Sequence, residues 1–140
     1  MFAKTYGGAV YGIDAAKITI EVNIISGTKV KIVGLPDNAV KESQQRVESA
    51  IKEHGFTMPR KRTVVNLAPA DVKKEGSAYD LPIALALLKA SRQIEALNLE
   101  EYMIMGELSL DGKLRPIRGA LPIAIEAREN GMKGLIIPVE

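Results

Sequence analysis

Apolar and polar residues alternate over 16–25. Ile18, Ile20, Val22 and Ile24 fall on one face, and Lys17, Thr19, Glu21 and Asn23 fall on the other. A period of two predicts a half-buried strand. Ser26, Gly27 and Thr28 read as a turn, and 29–35 alternates again through Val30 and Ile32, so an antiparallel hairpin of these two strands is the simplest expectation. Before them, 5–12 reads as a short strand broken by Gly7 and Gly8. The period then lengthens. Pro36, Asp37 and Asn38 suit a helix start, where the first N–H groups have no intrahelical partner. Val40, Val47, Ala50 and Ile51 form an apolar stripe behind them, with Glu42/Arg46 and Glu48/Lys52 as i,i+4 pairs on the wet side. His54 and Gly55 end this helix, glycine supplying a left-handed cap.

Thr63, Val64, Val65, Asn66 and Leu67 make a short buried strand, followed by a loop over 68–79. A second helix is predicted over 80–92. Leu81, Ile83, Leu85, Leu87 and Leu88 make it apolar nearly all round, which predicts a central, buried position. Strands are expected over 102–110 and 113–117, joined at Asp111-Gly112, the two-residue signal of a type I′ hairpin. A third helix over 119–129, ended by Asn130-Gly131, and a last strand over 135–137 complete the pattern.

Length bounds the result at one domain of 140 residues, 1–140, with 46% hydrophobic and 26% charged residues. No apolar run approaches the ~20 residues of a membrane span, and no signal peptide opens the chain. Cysteine is absent, which excludes a disulfide framework, thiol catalysis and thiolate metal sites, and fits a reducing cytoplasm. The net charge of +2 is too small to argue nucleic-acid binding by itself, and 4% aromatics leave little for base stacking. There is no Gly-x-x-x-x-Gly-Lys-Ser/Thr, so no ordinary phosphate loop. Glycines 7, 8 and 12 do not form a dinucleotide fingerprint. His54 is the lone histidine, and the acids do not cluster as ligands, so no metal site is expected.

One ordered set of segments is specific. It comprises Asn66-Leu67-Ala68-Pro69-Ala70-Asp71, Lys74-Glu75-Gly76, and Tyr79-Asp80-Leu81-Pro82-Ile83-Ala84. Val33-Gly34-Leu35-Pro36 precedes it, and Gly106-Glu107-Leu108 and Leu114-Arg115-Pro116-Ile117-Arg118-Gly119 follow. Together they resemble the first domain of the Mg-chelatase-like AAA+ proteins, the ComM/YifB family, over essentially the whole chain. Tyr79 stands where that family is expected to have Phe.

The resemblance implies an α/β (α+β) fold of the ribosomal protein S5 domain 2-like type. That fold has a mixed sheet with helices mainly on one face, as in the Lon proteolytic domain. It also implies a following AAA+ ATPase module, not within this sequence, that uses ATP and Mg. The implied assembly is a hexameric motor on DNA, driving branch migration in recombination or natural transformation. The abrupt end at Pro138-Val139-Glu140 suggests a domain excised from that longer protein.

Lon-type proteases use a Ser–Lys dyad, in which lysine takes the proton of the attacking serine. Carried over by motif, the serine falls on Asp80 and the lysine on Leu121. Neither residue can do the work, so no catalysis is expected. Asp80 has a structural reading as the N-cap of the second helix. A second register places a nucleophile at Ser77, with Lys73, Lys74 or Lys113 as base; a serine in a Gly-containing loop also reads as an ordinary turn residue. Arg60, Lys61 and Arg62 read as phosphate contacts or as a solvated strand entrance. Lys73 and Lys74 carry the same two readings, with Asp71 and Glu75 offsetting their charge. The two clusters are expected at opposite ends of one strand, roughly 20 Å apart by strand rise. Arg115 and Arg118 are further candidates of the same kind. The expected partners are DNA, the chain's own ATPase module and other copies of the protein, with no membrane. The rival readings are an active Ser–Lys peptidase, a metal-chelatase accessory and a stand-alone interaction domain.

Overall fold

The computed structural model describes residues 1–139. In chain order the strands are β1 (Phe2–Tyr11), β2 (Asp14–Ile25), β3 (Val30–Val33), β4 (Arg62–Ala68), β5 (Tyr102–Ile104), β6 (Glu107–Leu108), β7 (Leu114–Arg115) and β8 (Gly134–Ile136). The helices are α1 (Asn38–Lys41), α2 (Ser43–Glu53), α3 (Asp80–Ala90) and α4 (Ala120–Glu129). A mixed sheet runs in the order β3-β4-β2-β1-β5-β8, and β6 and β7 form a separate ribbon. β1, β2 and β4 are antiparallel neighbours, whereas β3, β5 and β8 join in parallel.

The expected β2–β3 hairpin does not form. β4 lies between them, antiparallel to β2 from Thr19↔Ala68 to Ile25↔Arg62 and parallel to β3 from Val30↔Thr63 to Val33↔Asn66. The alternation of β4 decides this. Thr63, Val65 and Leu67 are buried and stand opposite Ile24, Val22 and Ile20, which are buried too. β3 is short, follows exposed Lys29 and carries exposed Lys31, the composition of an edge strand.

Gly7 and Gly8 do not interrupt β1. They sit where packing is closest on the two sheet faces. A Cβ on Gly7 would lie 2.9 Å from the Met105 sulfur, and one on Gly8 would lie 3.1 Å from Ile123 of α4. Gly34, at φ +104°, allows a close crossing after β3: a Cβ there would lie 2.0 Å from the Leu67 carbonyl oxygen. The strand expected over 102–110 is divided at Gly106, and the Asp111-Gly112 turn joins only the two-residue strands β6 and β7. The first helix is likewise divided, at Glu42.

The core lies between the sheet and α2 and α3. Val30, Ile32, Thr63 and Val65 of the sheet meet Val47 of α2 and Ile83 and Leu87 of α3. The Thr5 hydroxyl of β1 donates to the Pro82 carbonyl, 2.9 Å away, fixing α3 on that face. Ile18, Ile20, Val22 and Leu67 are fully buried, each contributing roughly 1.5–3 kcal/mol. On the opposite face, α4 covers the end of β1 around Gly8 and Val10. No described helix is long and apolar enough to cross a membrane.

Candidate functional site

Two open clefts lie near opposite ends of β4. The first, about 660 Å³, is bordered by the end of β1, the loop before α3, and the segment before α4; Ser77, Ala78 and Tyr79 contribute to its wall. Ser77 is the one candidate nucleophile in it, but its hydroxyl donates to the Glu107 carboxylate. Glu107 in turn lies 3.3 Å from the Arg115 guanidinium. Among the described residues no lysine is paired with Ser77. Lys73 Nζ is 3.4 Å from Glu75, and Lys113 lies outside the cleft's lining. Tyr79 is buried, and its hydroxyl donates to the Gly8 carbonyl at 3.2 Å. Burial pushes its pKa up, so the phenol stays protonated and does not act as a base.

The positions carried over for the dyad do not form one site. Leu121 is 71% exposed on the first turn of α4. Asp80 is fully buried, and it is not the cap of α3: it is the first helical residue and makes no side-chain capping bond. Its carboxylate is drawn toward α2 and β6 instead. It accepts from Ser43 Oγ at 2.6 Å, Arg46 Nε at 2.7 Å, Arg46 Nη2 at 3.1 Å and the Leu108 N–H at 3.0 Å. The hydrogen bond to Asp80 raises the Arg46 pKa, outweighing the opposing effect of burial. A carboxylate this fully occupied holds elements together and has no lone pair directed into the cleft. Arg46 and Glu107 are the partners that sequence reasoning missed. Arg46 showed only its i,i+4 spacing to Glu42, and nothing local tied it to Asp80.

Lys74 is removed from any surface role. It is fully buried and donates from Nζ to the Gly34 carbonyl at 2.7 Å and to the Pro69 carbonyl. Desolvation lowers its pKa. The expectation that Lys74 contacts nucleic acid is therefore corrected: its ammonium caps two backbone carbonyls at the end of β4. Lys73 remains exposed but is paired with Glu75 in the first cleft.

Arg60, Lys61 and Arg62 are all exposed, and none forms an ion pair among the described residues. Arg60 lines the second cleft, about 710 Å³, together with Lys29 and Lys52. These two lysines come from other elements, and sequence reasoning did not join them to Arg60. Arg115 is tied to Glu107, while Arg118 lines the first cleft. No group of three His, Asp or Glu among the described residues is placed to hold a metal. The chain has no phosphate loop that could hold ATP and Mg.

Comparison with known proteins adds relatives to this geometry. The family profile described as subunit ChlI of Mg-chelatase matches residues 20–140. YifB of Escherichia coli is 49% identical over 129 residues, covering 91% of this chain and 26% of that protein. Competence protein ComM of Haemophilus influenzae is 45% identical over 136 residues, covering 96% of this chain and 26% of that protein. A Lon protease of Protochlamydia amoebophila is 28% identical over 139 residues, covering 94% of this chain and 16% of that protein. The chain thus spans about a quarter of the length of YifB and ComM.

Proposed function

Because the chain belongs to the ChlI family of Mg-chelatase-like proteins, with YifB and ComM among its relatives, we propose that it is a catalytically silent Lon-like domain of an AAA+ ATPase. The whole protein remodels DNA by ATP-driven branch migration in recombination or natural transformation. This domain supports assembly of its hexamer and touches DNA through Arg60, Lys61 and Arg62. ATP and Mg belong to the ATPase module.

Silence is supported by the fate of the carried-over dyad positions: Asp80 stands at the serine position with its carboxylate taken up by Ser43, Arg46 and the Leu108 N–H, and position 121 is an exposed leucine. Ser77, the alternative nucleophile, donates its proton to the Glu107 carboxylate. Ser–Lys hydrolysis needs a hydroxyl whose proton has a basic acceptor, and here no lysine amine is positioned to take it. The DNA reading is supported by the relative named a competence protein and by the unpaired basic cluster.

Two measurements test it. A serine-reactive phosphonate probe is expected to leave the chain unlabelled; stoichiometric labelling that vanishes in Ser77→Ala would restore the peptidase. The full-length protein is expected to move a four-way DNA junction only with ATP and Mg. Failure to do so under conditions where it hydrolyses ATP removes the DNA-motor reading.

A further inference from the structure

The second cleft is built by three segments distant in sequence. Thr28 and Lys29 of the β2–β3 turn form one wall, α2 contributes Glu48 and Lys52, and the segment before β4 contributes Arg60. Lys29 accepts the Thr63 N–H through its carbonyl at 2.9 Å, which sets it beside Arg62. Lys61 and Arg62 follow Arg60 into β4 and Lys31 follows Lys29 in β3, all three exposed; strand alternation turns Arg62 and Lys31 to the sheet face away from α2, outside the cleft. Against these basic groups the wall holds one carboxylate, Glu48, which lies 3.5 Å from Lys52 Nζ at the surface.

We propose that this cleft is a phosphodiester track, holding the backbone of duplex DNA without reading its bases. The proposal rests on the DNA-contact reading above and adds Lys29, Lys52 and Glu48 to it. Two observations favour it. The cationic groups converge from separate elements on one open trough, so backbone geometry rather than one flexible loop spaces them; Lys and Arg so placed meet phosphates as charge partners. No aromatic side chain lines the trough, so it lacks the stacking platform that single-stranded binders use. Glu48 opposes the phosphates and weakens the contact.

The test is fluorescence anisotropy of the 140-residue chain with a labelled 20-bp duplex, titrated between about 50 and 300 mM NaCl. Folding of each variant is checked by thermal melting. Releasing counterions from two phosphate contacts makes the log–log salt slope shallower by about 1.8. The double variant Lys29→Gln/Arg60→Gln is expected to show that change, with binding weakened roughly 10-fold at the lower salt. Glu48→Gln is expected to bind roughly two- to threefold tighter, a gain that loss of folding cannot mimic. Lys133→Gln, beside β8 at the sheet edge opposite β3, is expected to bind as the parent chain does.

An unchanged slope in the folded double variant would overturn the proposal. So would Glu48→Gln binding no tighter, or an acidic peptide of equal charge competing as well as unlabelled duplex. If single strands bind more tightly than duplex, the assignment to duplex fails. Junction movement by the full-length protein with the slope unchanged would sink the track and leave the motor reading standing. The reverse pair of results would sink the motor reading and leave the track.

Discussion

Tyr79 is a phenol enclosed by protein, with its single hydrogen bond directed to the Gly8 carbonyl. Burial disfavours the phenolate, so its pKa in the fold lies above the ordinary 10.0. The unfolded chain loses that proton first as pH rises, and the folded state then binds more protons than the unfolded one. Stability contributed by Tyr79 is therefore complete below pH 10 and declines above it. Tyr79→Phe is expected to cost about 1 kcal/mol at neutral pH from the lost hydrogen bond. It should also flatten the decline in urea midpoint between pH 10 and 11. A variant curve parallel to the parent's over that interval would falsify the assignment of the decline to Tyr79. Lys74 illustrates the same scale from the other side: its neighbours in sequence are charged and solvated, yet its buried side chain donates to two backbone carbonyls.

Asp80 acts at the scale of elements. It starts α3, takes two side-chain partners from α2 and one backbone N–H from β6, and so joins three pieces at one carboxylate. The Asp80–Arg46 pair is bidentate, a geometry that orients as well as attracts. Asp80→Ala leaves the Leu108 N–H and the Ser43 hydroxyl without their acceptor and Arg46 without its partner. Loss of one member of a buried pair costs about 3–5 kcal/mol, a large share of a typical domain's 5–15 kcal/mol. Urea denaturation is expected to show a loss of that size, and Glu42→Ala, at the exposed i,i+4 pair on the same arginine, a change of under about 0.5 kcal/mol. Equal losses in the two variants would remove Asp80 from this role. The apolar stripe of α2 and the all-round apolar α3 were legible because a helix repeats every 3.6 residues whatever surrounds it. The partner of β2 was not legible, since any strand of matching alternation could fill that edge.

At the scale of the whole molecule, the two basic clusters fall in different clefts, as their places before and after β4 predict. Arg60 and Lys73 lie 13 positions apart by number and enter different clefts beyond opposite ends of β4. The first cleft holds Ser77, the alternative nucleophile. Leu121→Lys places an amine where the proposed carry-over puts the dyad lysine, but Ser77 still donates to Glu107. That variant is expected to remain unlabelled by a serine-reactive phosphonate and to cleave no peptide above background. Labelling restored by this single change would mean that the site is silent for want of one amine.

By itself the sequence determined the helices, the buried face of β2 and, through its ordered motifs, the family. These rest on local periodicity or on residue identity, which no packing alters. Only the tertiary structure decided that β4 separates β2 from β3, that Asp80 binds α2 and β6 instead of capping α3, that Lys74 is interior, and that Lys29 and Lys52 share a cleft with Arg60. Each of these depends on which segments meet across long stretches of chain. Burial and hydrogen-bond partnership are properties of that meeting, and they override what a polar side chain would do if its own neighbours in sequence were all it had.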